Sequence, residues 1–314
     1  MGRVWRAGLL LAALALLVLA ATPWIDRISP AWLPAVQSLG RAWLLLAAVV
    51  VVLSLVSRAW LAAGAAAVAA ATALVTILNV SNPPACTAGQ ARLTVLTLNA
   101  YYGEADADEL AAAIERHGVD VVTIPEATEK LVAAVNSRLA EPFTVRSGQV
   151  SEARDPNGTV ILSRFPASRI DVPAGPDPSG DFQQPAMALD VDGTKVVVRA
   201  VHPRPPVAAS VERWRTGLLE LGTWQRAQRG TPLIVAGDFN ASAAHAPYRD
   251  AKRGMFDTAG LWPRATWPLR RWHPPFTDID HILVRGLAVR DQGTVDVAGT
   301  DHRGVWADLS VCPR

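Results

Sequence analysis

The chain is 314 residues long, half of them hydrophobic and 18% charged, with a formal net charge of +2. So small a charge gives no argument for a nucleic-acid partner and identifies no substrate. The length allows one large domain or two small ones, and the composition is uneven: Ala, Leu and Val dominate roughly the first 80 residues, while both cysteines and every histidine lie beyond them. A membrane region over residues 1–82, a linker over 83–91 and a globular domain over 92–314 are therefore expected.

Three uncharged apolar stretches lead the chain, Ala7 to Thr22, Ala42 to Ser57 and Ala59 to Val80, with Trp5, Trp24, Trp43 and Trp60 at their ends, where interfacial aromatics belong. A helix needs roughly 17–25 residues to cross the hydrocarbon core, and three spans are expected. Only Ser57 and Arg58 separate the second stretch from the third. One continuous helix there would be about 57 Å long against a core of about 30 Å, so a tight helical hairpin is the better solution. Arg3, Arg6 and Arg58 then lie on the cytoplasmic side, placing the chain in the cytoplasmic membrane as a multi-pass protein with its globular domain outside. Arg27 and Arg41 weaken that bias, and a cleaved signal peptide is the alternative for the first stretch.

Ser81-Asn82-Pro83-Pro84 stops the last helix, and Cys86 and Cys312 flank the globular domain, so an oxidising compartment would permit a disulfide between its ends. Leu93 to Leu98 is a nearly continuous apolar and β-branched run, a strand buried on both faces, with Asn99 at its end. Asp106 offers an N-cap, Leu110 to Ile114 a helical stripe and Gly118 a stop before the strand Val119 to Ile124, after which comes Glu126. This order predicts parallel neighbouring strands, with Asn99 and Glu126 at one edge of a sheet.

Val160 to Leu162 and Lys195 to Val201 are further strands, the latter leading into His202. Val211, Trp214, Leu218 and Leu221 repeat at helical spacing. Pro232 to Ala236 then runs into Gly237-Asp238-Phe239-Asn240, where residues two apart on an extended segment aim Asp238 and Asn240 at one target. Asp278 to Val284 is a strand with acidic residues at its start, and Gly299 to Arg303 is a polar loop before the strand Val305 to Leu309. Asp280 and His281 must point to opposite faces, and Asp280 is assigned to the site with His281 structural. Asp278 is expected to be solvated, and His117, His245 and His273 to lie on the surface. The pattern is α/β, with its polar residues mostly at strand ends, where such folds build their sites.

These residues resemble the endonuclease/exonuclease/phosphatase superfamily, the DNase-I-like fold. The likeness runs from Leu93 to Leu309 through Thr97-Leu98-Asn99, Glu126, Gly158 to Arg164, His202, Gly237 to Asn240, Thr266-Trp267-Pro268, Ile279 to Leu283 and Asp301-His302-Arg303. The resemblance implies a four-layer α/β sandwich cleaving phosphate esters with Mg²⁺ or Mn²⁺. It implies that Glu126 binds the metal, with Asn99 beside it and Asp301 as a further ligand. Asp238 would activate water, Asn240 would hold a phosphate oxygen, His302 backed by Asp280 would contact phosphate or move a proton, and His202 would stabilise charge or protonate the leaving group. Two departures stand out: Pro125 precedes Glu126 where the family often has Gln, and Phe165 follows Ser163-Arg164 where related nucleases place a Glu that supports the first histidine.

Arg264, Arg270 and Arg271 interleave with Trp262, Trp267 and Trp272, a combination equally suited to stacking bases and to resting on lipid head groups. The first expectation is a membrane-anchored phosphodiesterase acting on nucleic acid. The alternatives are a phospholipid or sphingomyelin-type phosphodiesterase, a small-molecule phosphatase, and a catalytically silent binding module.

Overall fold

The computed structural model describes residues 2–25, 30–80, 91–172, 182–270, 272 and 274–312. The linker residues up to 90, Cys86 with its expected pairing to Cys312, Arg271 and His273 lie outside them. Helices α1 (Gly2–Ala21), α2 (Leu33–Ser38), α3 (Gly40–Val56) and α4 (Trp60–Ile77) come first. The Trp5 indole donates to Ser57 Oγ at 2.8 Å, and a Cβ on Gly40 would meet Thr76 at 3.4 Å. So α3 runs antiparallel to both α1 and α4, and small residues such as Ala47, Ala62 and Ala69 let the three helices approach closely. By length and composition two helices can cross a membrane, Gly2–Trp24 and Trp60–Ile77; α3 is a shorter apolar helix of 17 residues.

Beyond them the order is β1 (Arg92–Thr97), α5 (Ala107–His117), β2 (Val121–Pro125), α6 (Glu129–Asn136), β3 (Val145–Ser147), β4 (Thr159–Ser163), β5 (Ala167–Ile170), β6 (Ala186–Val191), β7 (Thr194–Val201), α7 (Val211–Ala227), β8 (Leu233–Asp238), α8 (Ala246–Ala251), β9 (Phe256–Asp257), β10 (Asp280–Arg285), β11 (Leu287–Val295) and β12 (Gly304–Val311). The strands form two six-stranded mixed sheets, ordered β11-β12-β1-β2-β4-β3 and β5-β6-β7-β8-β10-β9. Between them lies a core of Val95, Val121, Ile161, Val198, Ile234 and Ile282, among others. The alternate residues Leu96, Val122 and Leu162 pack outward against α5 and α6, and Val197, Leu233 and Val235 pack outward against α7 and α8. Apolar side chains on both faces of a strand thus build helix, sheet, sheet, helix, the four-layer sandwich.

Local signals agree with this architecture. The Asp106 carboxylate accepts from the backbone N–H groups of Asp108 and Glu109 at 2.9 Å, and Gly118 ends α5 at φ 57°. Strands β1 and β2 pair in parallel, as the strand-helix-strand order requires.

Candidate active site

Register brings the polar strand ends together. Parallel β7 and β8 pair Val201 with Gly237, so His202 and Asp238 leave the sheet side by side. Gly237 is essential to that: at φ 153° its ideal Cβ would stand 2.0 Å from the Val201 carbonyl oxygen. Antiparallel β10 places Asp280 directly opposite Asp238. In the other sheet the Ala100 N–H donates to the Pro125 carbonyl, which sets Asn99 beside Glu126. The loop before β12 closes over them through Thr300, whose hydroxyl donates to the Asn99 carbonyl at 2.7 Å.

The Asn99 amide links the two sheets, donating to Glu126 Oε1 at 3.1 Å and Asp238 Oδ2 at 3.0 Å. Glu126 Oε2 accepts from the Tyr102 N–H at 3.0 Å, and Asn99 Oδ1 from the Tyr101 N–H at 2.9 Å. Tyr101, Tyr102 and Glu126 all adopt positive φ, at 48°, 58° and 55°. Each such non-glycine residue costs on the order of 1–3 kcal/mol and persists where its surroundings enforce it. Here the backbone bends so that two N–H groups meet the Asn99 and Glu126 side chains. Burial raises the Glu126 pKa, against the lowering effect of the Asn99 and Tyr102 hydrogen bonds.

On the other side, Asp280 holds His302 Nδ1 at 2.9 Å, and His302 Nε2 faces Asp238 at 3.9 Å and Asp301 Oδ1 at 3.8 Å. Burial works against a charged His302, but the Asp280 and Asp238 carboxylates outweigh it and raise its pKa to about 10. Asp238 is pushed up to about 7 by burial, with the His302 cation pulling the other way. His202 lies 3.7 Å from Glu126 and 3.8 Å from Asp238; burial, helped by His302, takes its pKa down to about 3, so its imidazole is neutral. The Asn240 N–H donates to Asp238 Oδ1 at 2.7 Å, and its side-chain amide to the Pro203 carbonyl at 3.0 Å. Asp301 Oδ2 accepts from the Trp267 indole at 3.2 Å, while its Oδ1 is buried without a hydrogen-bond partner.

All eight residues expected in the site therefore share one region: Asn99, Glu126, His202, Asp238, Asn240, Asp280, Asp301 and His302. His281 points away, to the Ala241 carbonyl and Asp257. Two expectations are overturned. His245 is buried rather than on the surface, because the segment around α2 covers it: its Nε2 lies 3.0 Å from the Pro34 carbonyl and 3.3 Å from Ser38 Oγ. Asp278 is buried rather than solvated, with Arg41 of α3 at 3.9 Å. Two contributors went unforeseen. Thr300 had a signal, a hydroxyl beside Asp301; Phe182, stacked on His202 with centroids 4.6 Å apart, had none.

Oxygen-rich pairs and a protonated imidazole converging on one point suit a phosphate ester and a hard cation. Asp238, Asp280 and His302 offer donor atoms within 4.8 Å of one another, a set of groups that could hold a metal ion.

No curated protein matches the chain. Among solved structures, D. rerio TDP2 complexed with single strand DNA product aligns at TM-score 0.55 and 16% identity, covering 70% of this chain and 99% of that one. An endonuclease/exonuclease/phosphatase family protein from Bacteroides thetaiotaomicron aligns at 0.55 and 13%, covering 74% and 100%. The mannosyl-6-phosphatase Bt3783 of Bacteroides thetaiotaomicron VPI-5482 aligns at 0.51 and 14%, covering 69% and 99%. These likenesses establish the fold. The model of the Endonuclease/Exonuclease/phosphatase family matches residues 96–302, the greater part of the chain and every residue of the site. The chain belongs to this family of metal-dependent phosphoric ester hydrolases.

Proposed function

We propose that the protein is a membrane-tethered phosphodiesterase whose catalytic part, residues 92–314, works outside the cytoplasmic membrane. The observation that carries the catalytic part is one buried cluster in which Asp238 stands opposite Asp280, Asp280 holds His302 Nδ1 at 2.9 Å and the Asn99 amide joins Asp238 to Glu126. The tether is supported by apolar helices whose side chains face outward, with Leu11, Val56 and Leu61 each more than two-thirds exposed.

Magnesium or manganese fits beside Glu126 and Asp301: both are carboxylates, burial disfavours charge on Glu126, and Asp301 Oδ1 has no hydrogen-bond partner. When bound, the ion neutralises charge on the phosphate. Asn99 fixes Glu126 and Asp238 relative to each other. Asp238 takes the proton of the attacking water, and the N–H of Asn240 holds its other oxygen in place. His302 binds the phosphate as a cation and donates a proton to the leaving oxygen, oriented through Nδ1 by Asp280. His202, neutral and lacking a supporting carboxylate at Phe165, donates a hydrogen bond to a phosphoryl oxygen. Phe165 packs instead against the core between the sheets.

The test is hydrolysis of bis-p-nitrophenyl phosphate by the detergent-solubilised full chain with Mg²⁺, with Mn²⁺ and with EDTA. Metal-dependent turnover is expected; its absence, with DNA, lipids and monoesters also uncleaved, would leave the silent binding module as the better account. Nucleic acid is the first substrate suggested by the motifs, and a membrane lipid the second.

A further inference from the structure

The catalytic part is built onto one end of the helical bundle. Arg41, in the first turn of α3, donates to the Pro263 carbonyl, lies 3.9 Å from Asp278 and stands 5.9 Å from the Trp262 ring centroid. The Asn79 N–H, just past α4, donates to the Leu261 carbonyl at 3.0 Å, and the Lys252 ammonium donates to the Asn79 side chain at 2.9 Å. Arg249 donates to the Pro23 carbonyl just past α1 at 2.7 Å. The end of α1, the start of α3 and the end of α4 all lie on this side of the bundle.

The docked surface is also a wall of the active site. Asp278 lies two residues before Asp280, about 7 Å along an extended chain. The Trp267 indole and the Leu269 N–H both donate to Asp301 of the active site, while Phe276 and Thr277 border a small cleft with Gln37, Gly40 and Ile77. Each head-group layer of a bilayer is about 5–8 Å thick. Leu261 and Trp262, beside the end of α4, are 63% and 53% exposed, and Trp272, between Leu269 and Phe276, is 87% exposed. Tryptophan at that level belongs in the head-group region.

Resting on the membrane-tethered phosphodiesterase proposed above, we infer that the substrate is a phosphodiester carried in the head-group layer of the membrane itself, a lipid rather than a nucleic acid. Water oxygen forms the new P–O bond and loses its proton to Asp238. One of the two P–O ester bonds of the head group breaks, and the departing oxygen takes the proton of His302. The products are one alcohol and one phosphate monoester.

The full chain in nonionic detergent micelles containing phosphatidylcholine, phosphatidylglycerol and sphingomyelin, with Mg²⁺, is given bis-p-nitrophenyl phosphate and plasmid DNA in parallel, and lipid products are read by phosphorus NMR. Lipid turnover at least about tenfold above DNA turnover is expected, and Trp262→Glu lowers the ratio of lipid to bis-p-nitrophenyl phosphate turnover several-fold. Cleavage of the soluble diester or DNA with lipids intact, or an unchanged ratio in Trp262→Glu, overturns the lipid assignment and leaves the phosphodiesterase standing. No turnover of any of the three overturns both.

Discussion

The two sheets bring different chemistry to the same site. The sheet containing β1 and β2 contributes Asn99, Glu126 and, through the loop before β12, Asp301: oxygen-rich groups, Asn99 and Glu126 held by a backbone bent into left-handed conformations. The sheet containing β7, β8 and β10 contributes His202, Asp238, Asn240 and Asp280, among them groups whose protonation is set by burial and neighbours. His302 belongs to the first sheet by chain and to the second by its hydrogen bond to Asp280. On the roles proposed above, charge binding and proton handling are separable by mutation even though the Asn99 amide joins them.

The largest effect is expected on the proton-handling side. Asp238→Asn lowers kcat/KM for bis-p-nitrophenyl phosphate by roughly 10²–10⁴, the usual scale for loss of a general base, and added metal does not restore it. Thermal stability at pH 8 does not fall. The folded pKa of about 7 lies above the ordinary carboxylate value of 3.8, so the folded state holds a proton that the unfolded chain releases between those values. Stability therefore declines as pH rises from about 4 to about 7, and the amide removes that cost. Glu126→Gln, on the charge-binding side, also lowers activity strongly, yet the loss shrinks as Mg²⁺ is raised. A Glu126→Gln enzyme indifferent to metal concentration would break the division between the sheets.

The pH profile of kcat/KM sharpens the same division. It rises as Asp238 loses its proton, through about 7 or below once a cation is bound, and falls as His302 loses its own, near 10. Asp280→Asn removes the carboxylate that most raises His302 and moves the alkaline limb down by about 1–3 units, the usual effect of a close opposite charge. The acid limb moves less. Equal movement of both limbs would mean that Asp238 and His302 titrate as one unit.

The fold and the site were legible in the sequence to the extent that they depend on strands. Continuous apolar runs such as Leu93 to Leu98 announced strands buried on both faces, and the runs of β1, β2, β7 and β8 lead into Asn99, Glu126, His202 and Asp238, which the structure brings together. What sequence could not disclose came from contacts between distant segments. His245 and Asp278 look like ordinary polar residues near turns, and only the packing of α2 and α3 against them makes them buried. Phe182, ahead of β6, reaches His202 at the end of the neighbouring strand β7, with no motif to mark it. The left-handed Tyr101 and Tyr102 carry no glycine to betray their backbone, because the demand for it comes from Asn99 and Glu126.

The smallest effect is expected where the helices meet the catalytic part. Arg41 is the cation beside Asp278, whose pKa burial raises to about 6 while His281 and Arg41 pull it down. At pH 5 most Asp278 is protonated, and Arg41→Ala removes mainly the bond to Pro263 and the packing on Trp262. At pH 8 the ionised carboxylate is left without that partner as well. The destabilisation should therefore be greater at pH 8, by about 1 kcal/mol after allowing for the partial exposure of the arginine. Melting of the full chain in detergent at the two pH values measures it, with Arg41→Lys as the control that keeps the charge. The activity loss should be no more than a few-fold, because Asp280 is held independently by its pairing with Asp238 and by the Thr266 hydroxyl, which accepts from its backbone N–H. A loss as large as that of Asp238→Asn would mean that the helices help to assemble the catalytic centre.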